Sequence, residues 1–253
     1  VGRQGRRAGR AAADPSRPQG GRPVIERIVP PAVRTRAAYG DELDGTPLHP
    51  EEEPAVARAV AKRVHEFRAG RACARDALAR LGYGPVAIPR DVRYGAPVWP
   101  EGVVGSITHC EGYRAAAVAR AEDVLALGID AEPHEPLPEG VLDVILATDR
   151  ERAALAALAE AAPGTHWDRL LFSAKETVYK AWYPYHRRML DFSEAELLFA
   201  DPDPAAPHRG AYTARLLIDG PLLAEGLGPD VFSGRWTTGS GLAVTAITVP
   251  NGT

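Results

Sequence analysis

Two short runs in this 253-residue chain carry side chains suited to a hard cation and a phosphate-bearing substrate. Gly128-Ile129-Asp130-Ala131-Glu132 places two carboxylates two residues apart, on one face of an extended segment. Phe172-Ser173-Ala174-Lys175-Glu176-Thr177-Val178-Tyr179-Lys180 adds a third carboxylate and two ammonium groups with helical period. If Asp130, Glu132 and Glu176 converge, they make an all-oxygen site for a hard divalent cation. Lys180 stands four residues from Glu176 and suits either phosphate charge or a surface pair of a few tenths of a kcal/mol. Lys175 has the same two readings. Arg71 and Arg75, also four apart, can turn their guanidinium forks to one phosphate, whereas Arg68 either joins them or faces water.

These groups need a scaffold. Val56, Val60, Val64, Phe67, Ala74, Leu78 and Leu81 recur at helical spacing, which predicts a long helix over residues 53–81. Pro54 suits its first turn, Gly82 its end, and Gly70 is the candidate break. Extended segments are expected at residues 103–109, 113–120 and 125–131, the middle one alanine-rich with weak alternation. Thr148 with Glu151 reads as a capping box for a helix over 149–161. A helix over 166–183 buries Leu171, Ala174, Val178 and Trp182, and Pro184 stops or bends it. Strands are expected at 195–200, 211–219, 229–236 and 242–249. The fold class is therefore α+β, with an N-terminal half at 24–132 and a C-terminal half at 133–253. The arginine-rich residues 1–23 have little to bury and read as a disordered extension.

Composition narrows the function. A formal net charge of -3 argues against a general nucleic-acid binder. Cys73 and Cys110 give neither a disulfide framework nor a zinc pattern, which fits a reduced cytoplasmic setting. No apolar run reaches the roughly 18 residues of a membrane span. The chain has no Gly-x-x-x-x-Gly-Lys-Ser/Thr loop to support a P-loop nucleotide hydrolase.

The order of several blocks carries a resemblance. They are Glu66-Phe67-Arg68-Ala69-Gly70-Arg71 with Arg75, Pro97-Val98-Trp99-Pro100, Gly105-Ser106-Ile107-Thr108-His109-Cys110, the run 128–132, and Trp167 through Trp182. Together they resemble the Sfp-type 4'-phosphopantetheinyl transferases, particularly the bacterial branch with enterobactin synthase component D. The resemblance implies two similar α/β halves in pseudo-twofold arrangement, with coenzyme A and Mg²⁺ between them. It implies transfer of 4'-phosphopantetheine to a serine of an apo acyl or peptidyl carrier protein, releasing adenosine 3',5'-bisphosphate. Such carriers serve polyketide, non-ribosomal peptide and siderophore biosynthesis. Asp130, Glu132 and Glu176 would then hold Mg²⁺, and Lys175 and Lys180 the phosphates. Arg71 and Arg75 would take the 3'-phosphate end, with Arg68 beside them, while Ser106, Thr108 and His109 meet the nucleotide or pyrophosphate. Glu176 is expected to stay charged and to act as base or water-orienting group, with metal activation of the hydroxyl as the alternative. Trp99 and Pro100 are expected to shape the nucleotide side of the cleft. Tyr185 and His186 replace smaller residues of the family and are expected to select the carrier. A monomer is expected, since one chain supplies both halves.

Overall fold

The computed structural model describes residues 24–93 and 95–252, and the expectation for residues 1–23 lies outside the described residues. The architecture is α+β, with two antiparallel sheets. The smaller sheet has the order β1-β3-β2, from β1 (Arg34–Tyr39), β2 (Val103–Cys110) and β3 (Tyr113–Arg120). The larger has the order β4-β8-β7-β6-β5, from β4 (Val124–Pro133), β5 (Ala195–Phe199), β6 (Arg209–Leu216), β7 (Phe232–Gly239) and β8 (Leu242–Pro250). Helix α1 (Ala61–Ala79) covers the small sheet. Helices α2 (Val141–Ile145), α3 (Asp149–Ala161) and α4 (Trp167–His186) lie with the large one.

The alanines of β3 have a packing cause. Ala116 and Val118 join the α1 side of the small sheet, whereas Ala115, Ala117 and Ala119 pack against β4 and β8. A strand buried on both faces has no polar side to alternate with, so its pattern is weak. Strand β1 had no such run to announce it: Arg-Thr-Arg-Ala-Ala-Tyr reads as polar chain, yet it pairs along its length with β3.

The expected helix over 53–81 is divided. A 3-10 turn at Glu53–Val56 precedes α1, and Val60, 73% exposed, sits at the gap instead of in the stripe. Gly70 does not break the helix. Its bare Cα admits Ile107 of β2, whose methyl carbon lies 3.2 Å from where a Cβ would stand. Gly82, at φ +89°, ends α1 with Gly82 N–H bonded to Ala79 and Tyr83 N–H to Leu78. In α3 the Thr148 hydroxyl accepts from Glu151 N–H at 3.0 Å, as expected. The Glu151 carboxylate, however, receives Ala147 N–H at 2.6 Å, one residue before the cap. Helix α4 runs through Pro184 and ends at left-handed Arg187.

Strand β4 was expected with the first half. Its hydrogen-bond ladder is with β8, the last strand. Its other edge meets β2 without a ladder. There the Ser106 hydroxyl accepts Ile129 N–H and the Thr108 hydroxyl accepts Ala131 N–H, each at 3.1 Å. Leu127, Ile129 and Ala131 face the small sheet, so Gly128, Asp130 and Glu132 project the other way, toward α4. Gly128 sets how close α4 comes. A methyl there would overlap the Thr177 carbonyl oxygen and stand 3.1 Å from Ala181 N.

Gly128→Ala is therefore expected to destabilise the fold by at least the ~1–3 kcal/mol typical of an overpacked core. Urea unfolding checks this, and a midpoint equal to the parent's would show that α4 is free to move away.

Candidate active site

At the seam between the sheets, Asp130 is buried and its Oδ1 is held from two sides. Thr108 Oγ1 donates to it at 3.0 Å and Lys180 Nζ at 2.7 Å. Asp130 Oδ2 is equally buried and has no hydrogen-bond partner among the described residues. Glu132 meets Arg169 of α4, with Nη1 3.2 Å from Oε2. Burial, then the neighbouring Asp130 charge, push Glu132 up to about 7, against the pull of Arg169 and Lys180. Glu176 is raised by burial, which outweighs Lys180, and Asp130 adds to the rise. The expectation that Glu176 stays fully charged is thus reversed in direction. Its cause is desolvation, which composition cannot report.

The structure brings Asp130, Glu132, Glu176 and Lys180 to one place, with the unforeseen Arg169. Arg169 stands two helical turns before Glu176, so heptad spacing was the available signal. Among the described residues no three His, Cys, Asp or Glu side chains form a group ready to hold a metal ion. In this arrangement Lys180 and Arg169 balance the carboxylates.

Two cavities flank this stretch of α4. One of about 440 Å³ is lined by Trp99, Ser106, Ile107, Tyr179, Lys180 and Tyr183. Trp99 closes it by lying on Gly105, where a Cβ would come within 2.7 Å of the ring. Another of about 560 Å³ opens beside Glu176 between Tyr179, Met189, Leu190 and Phe192.

At the end of β2, His109 Nε2 lies 2.6 Å from Arg63 Nη1, and its Nδ1 lies 3.6 Å from Glu66 Oε2. Burial and the Arg63 guanidinium hold His109 below its ordinary range. As the guanidinium donates, Nε2 accepts and the ring is neutral. Arg63 escaped the sequence reading, although its i,i+3 spacing to Glu66 was visible.

Several expected contacts are committed elsewhere. Arg75 Nη1 bonds both oxygens of Glu52, at 2.8 and 3.0 Å, and its Nη2 bonds Pro47 O. Glu52 is fully buried and also receives Ile88 N–H, so Arg75 clamps structure here. Arg71 Nε donates to Ile88 O at 2.7 Å, with its guanidinium over the Phe67 ring. Burial and the charges of Arg63, Arg75 and Arg90, against Glu52, bring Arg71 down to about 10. An anion there would relieve that repulsion. Arg68 is half-buried, and its Nε has no acceptor among the described residues.

Ser106 and Thr108 are buried and their hydroxyls accept β4 amides, while Ser106 also lines the smaller cavity. Lys175 is likewise engaged within the chain. Its ammonium is enclosed with Glu151 and two backbone carbonyls. Tyr185 is half-buried, and its hydroxyl donates to Leu125 O at 2.7 Å. His186 stacks on Trp182 at 4.2 Å, which uses its ring face internally.

Sequence comparison bears directly on this site. The model of the 4'-phosphopantetheinyl transferase N-terminal domain matches residues 51–119, and that of the 4'-phosphopantetheinyl transferase superfamily matches residues 126–218. The chain is 53% identical over 234 residues to the 4'-phosphopantetheinyl transferase Svp of Streptomyces mobaraensis, covering 91% of this chain and 92% of Svp. It belongs to the 4'-phosphopantetheinyl transferase superfamily. Within that superfamily it is 47% identical to the transferase PptT of Mycobacterium tuberculosis, over 88% of this chain and 97% of PptT. The likeness to enterobactin synthase component D of Escherichia coli K12 is 37% over 123 residues, covering 47% of this chain and 55% of that protein. The second superfamily match begins inside β4, so it takes in Asp130, Glu132 and all of α4.

Arg75→Ala would leave the buried Glu52 charge unpaired, which is expected to cost about 3–5 kcal/mol of stability. Chemical unfolding measures it, and a loss under about 1 kcal/mol would mean that the clamp is dispensable.

Proposed function

We propose that this chain transfers 4'-phosphopantetheine from coenzyme A to a serine hydroxyl of an apo carrier protein and releases adenosine 3',5'-bisphosphate, at the junction of β4 and α4. The reading is carried by one observation: in a member of this superfamily, Asp130, Glu132, Glu176 and Lys180 meet in a partly buried cluster between two cavities. The carriers expected are acyl and peptidyl carriers of polyketide, non-ribosomal peptide and siderophore synthesis. One chain supplies both sides of the seam, so a monomer suffices, and among the described residues no helix is long and apolar enough to cross a membrane. We place the enzyme in the cytoplasm, where coenzyme A is available.

The donor set fits Mg²⁺ in kind. It is all oxygen, Asp130 Oδ2 lacks a partner, and burial makes the charged forms of Glu132 and Glu176 costly. Asp130, Glu132 and Glu176 would hold the ion. When bound, it supplies Lewis-acid polarisation of the pyrophosphate oxygens. The chain's own groups do the rest. Arg63, Arg71 and His109 form the polar end that suits the nucleotide phosphates. The cavity beside Glu176 suits the long, uncharged arm, with Tyr179 and Leu190 along it. The serine oxygen forms a bond to the β-phosphorus while the bond from phosphorus to the nucleotide oxygen breaks. Glu176 takes the serine proton directly or through water. Lys180 stabilises the charge on the departing phosphate.

Mass spectrometry of a panel of apo carriers with coenzyme A and Mg²⁺ tests the reaction. The expected result is one phosphopantetheine added at a serine, with bisphosphate formed only when a carrier is present. Nucleotide release without a carrier would make the chain a hydrolase. Glu176→Gln is expected to lower kcat by 10²-fold or more, the scale of a general base.

The carboxylates also predict a pH-dependent stability. Glu132 and Glu176 bind protons more tightly folded than unfolded, so the metal-free fold loses stability as pH rises from about 4.5 through about 7. Mg²⁺ should cancel that loss. Its addition is expected to raise the thermal midpoint more at pH 8 than at pH 6, and an equal rise at both would contradict the three-carboxylate site.

Arg71→Ala is expected to weaken coenzyme A binding more than binding of the analogue without the 3'-phosphate, by about 1.5–3 kcal/mol for a charge-assisted contact. Equal losses for both ligands would reassign Arg71 to structure alone.

A further inference from the structure

Lys175 and Glu151 form an ion pair in which each side chain is only 1% exposed, next to the catalytic glutamate but outside the chemistry above. Lys175 Nζ lies 3.0 and 3.2 Å from the two Glu151 oxygens, 2.8 Å from Phe192 O and 2.5 Å from Ala195 O. An ammonium has three hydrogens, and here each has an acceptor. Glu151 is equally occupied, since its oxygens receive Leu197 N–H at 2.7 Å and Ala147 N–H at 2.6 Å. One charge pair thus ties α4 to α3, to the segment before α3, to the 3-10 turn Phe192–Glu194 and to β5.

The two carbonyls held by Lys175 bracket that turn. Met189, Leu190, Phe192 and Ala195, the wall that this turn contributes, line the same cavity as Lys175, Glu176 and Tyr179. Lys175 and Glu176 are consecutive on α4, one directed to the wall's backbone and the other to the seam. We propose that Lys175 and Glu151 are positioning residues that fix this wall against Glu176, and that Lys175 touches no phosphate. The inference rests on the transferase reading for the occupant of the cavity, whereas the pair itself does not depend on it. A lysine suits the task because one nitrogen must serve a carboxylate and two carbonyls at once. Glutamine or methionine in its place would leave acceptors bare.

Lysine labelling of the parent protein provides the first test, because the chain contains only Lys62, Lys175 and Lys180. Under an amine-acylating reagent read by peptide mass spectrometry, exposed Lys62 should react throughout. Lys180 should react in the free protein and be protected by adenosine 3',5'-bisphosphate with Mg²⁺. Lys175 should stay unmodified in both conditions. Reaction of Lys175 in the free protein, with protection by the bisphosphate, would overturn the proposal. An unprotected Lys180 beside an unreactive Lys175 would count against the nucleotide site and leave the pair standing.

Kinetics provide the second test. Lys175→Met, Glu151→Gln and the neutral double variant are each expected to lose at least tenfold in kcat/KM for transfer. Their affinity for the bisphosphate, which lacks the arm, should change less than twofold. A matching signature from an acid and a base on different helices is what a positioning pair requires. A tenfold loss of bisphosphate affinity in Lys175→Met, absent from Glu151→Gln, would return Lys175 to the phosphate site. The double variant removes both charges together, so it keeps the test readable if a lone buried charge destabilises either single variant.

Discussion

Two hydroxyls hold the functional region together. Ser106 and Thr108 of β2 accept the Ile129 and Ala131 amides of β4, where a backbone ladder would otherwise run. Each bond contributes on the order of 1 kcal/mol net, but an unmade one would strand a buried amide at about 1–3 kcal/mol. The sheets therefore cannot separate at this edge without a double penalty. Thr108 also donates to Asp130, so one hydroxyl fixes both the seam and a carboxylate oxygen. The carboxylate cluster inherits its geometry from that side chain.

Three buried carboxylates each meet a basic side chain. Arg75 answers Glu52, Lys175 answers Glu151 and Lys180 answers Asp130. The first two pairs are saturated by further backbone contacts, which makes them struts. The third is left incomplete, with one Asp130 oxygen bare. Saturation separates structural from reactive charge here, because only an unfinished site gains from binding something else.

The sequence exposed local patterns and concealed partners. The alternation of 128–132 and the period of 167–182 are local, and both the strand–helix pair and the convergence of their charged groups were legible from them. The division of α1 from its 3-10 turn was not, because Val56 and Val60 keep helical spacing although Val60 faces solvent. Lys175 and Arg75 read as phosphate ligands because their neighbours suggested it. Their actual partners, Glu151 and Glu52, lie 24 and 23 residues away, and no spacing rule connects them. The acceptor of Tyr185, Leu125 O, is likewise 60 residues distant. Pro184 was read as a stop or a bend, and α4 runs on to His186, because a proline so near the end costs only the one bond of its missing N–H.

The pairing of β4 has a consequence for biosynthesis of the chain. Among the described residues the only ladder partner of the Asp130 strand is β8, so Asp130 faces Thr245, 115 residues further on. Contacts of such long sequence separation form late, and a chain emerging from the ribosome acquires its domains in order from the N-terminus. The small sheet, complete by Arg120, can assemble early, whereas β4 must wait at the edge with its hydroxyl partners on one side and nothing on the other. The carboxylates come into register only after β8 leaves the ribosome.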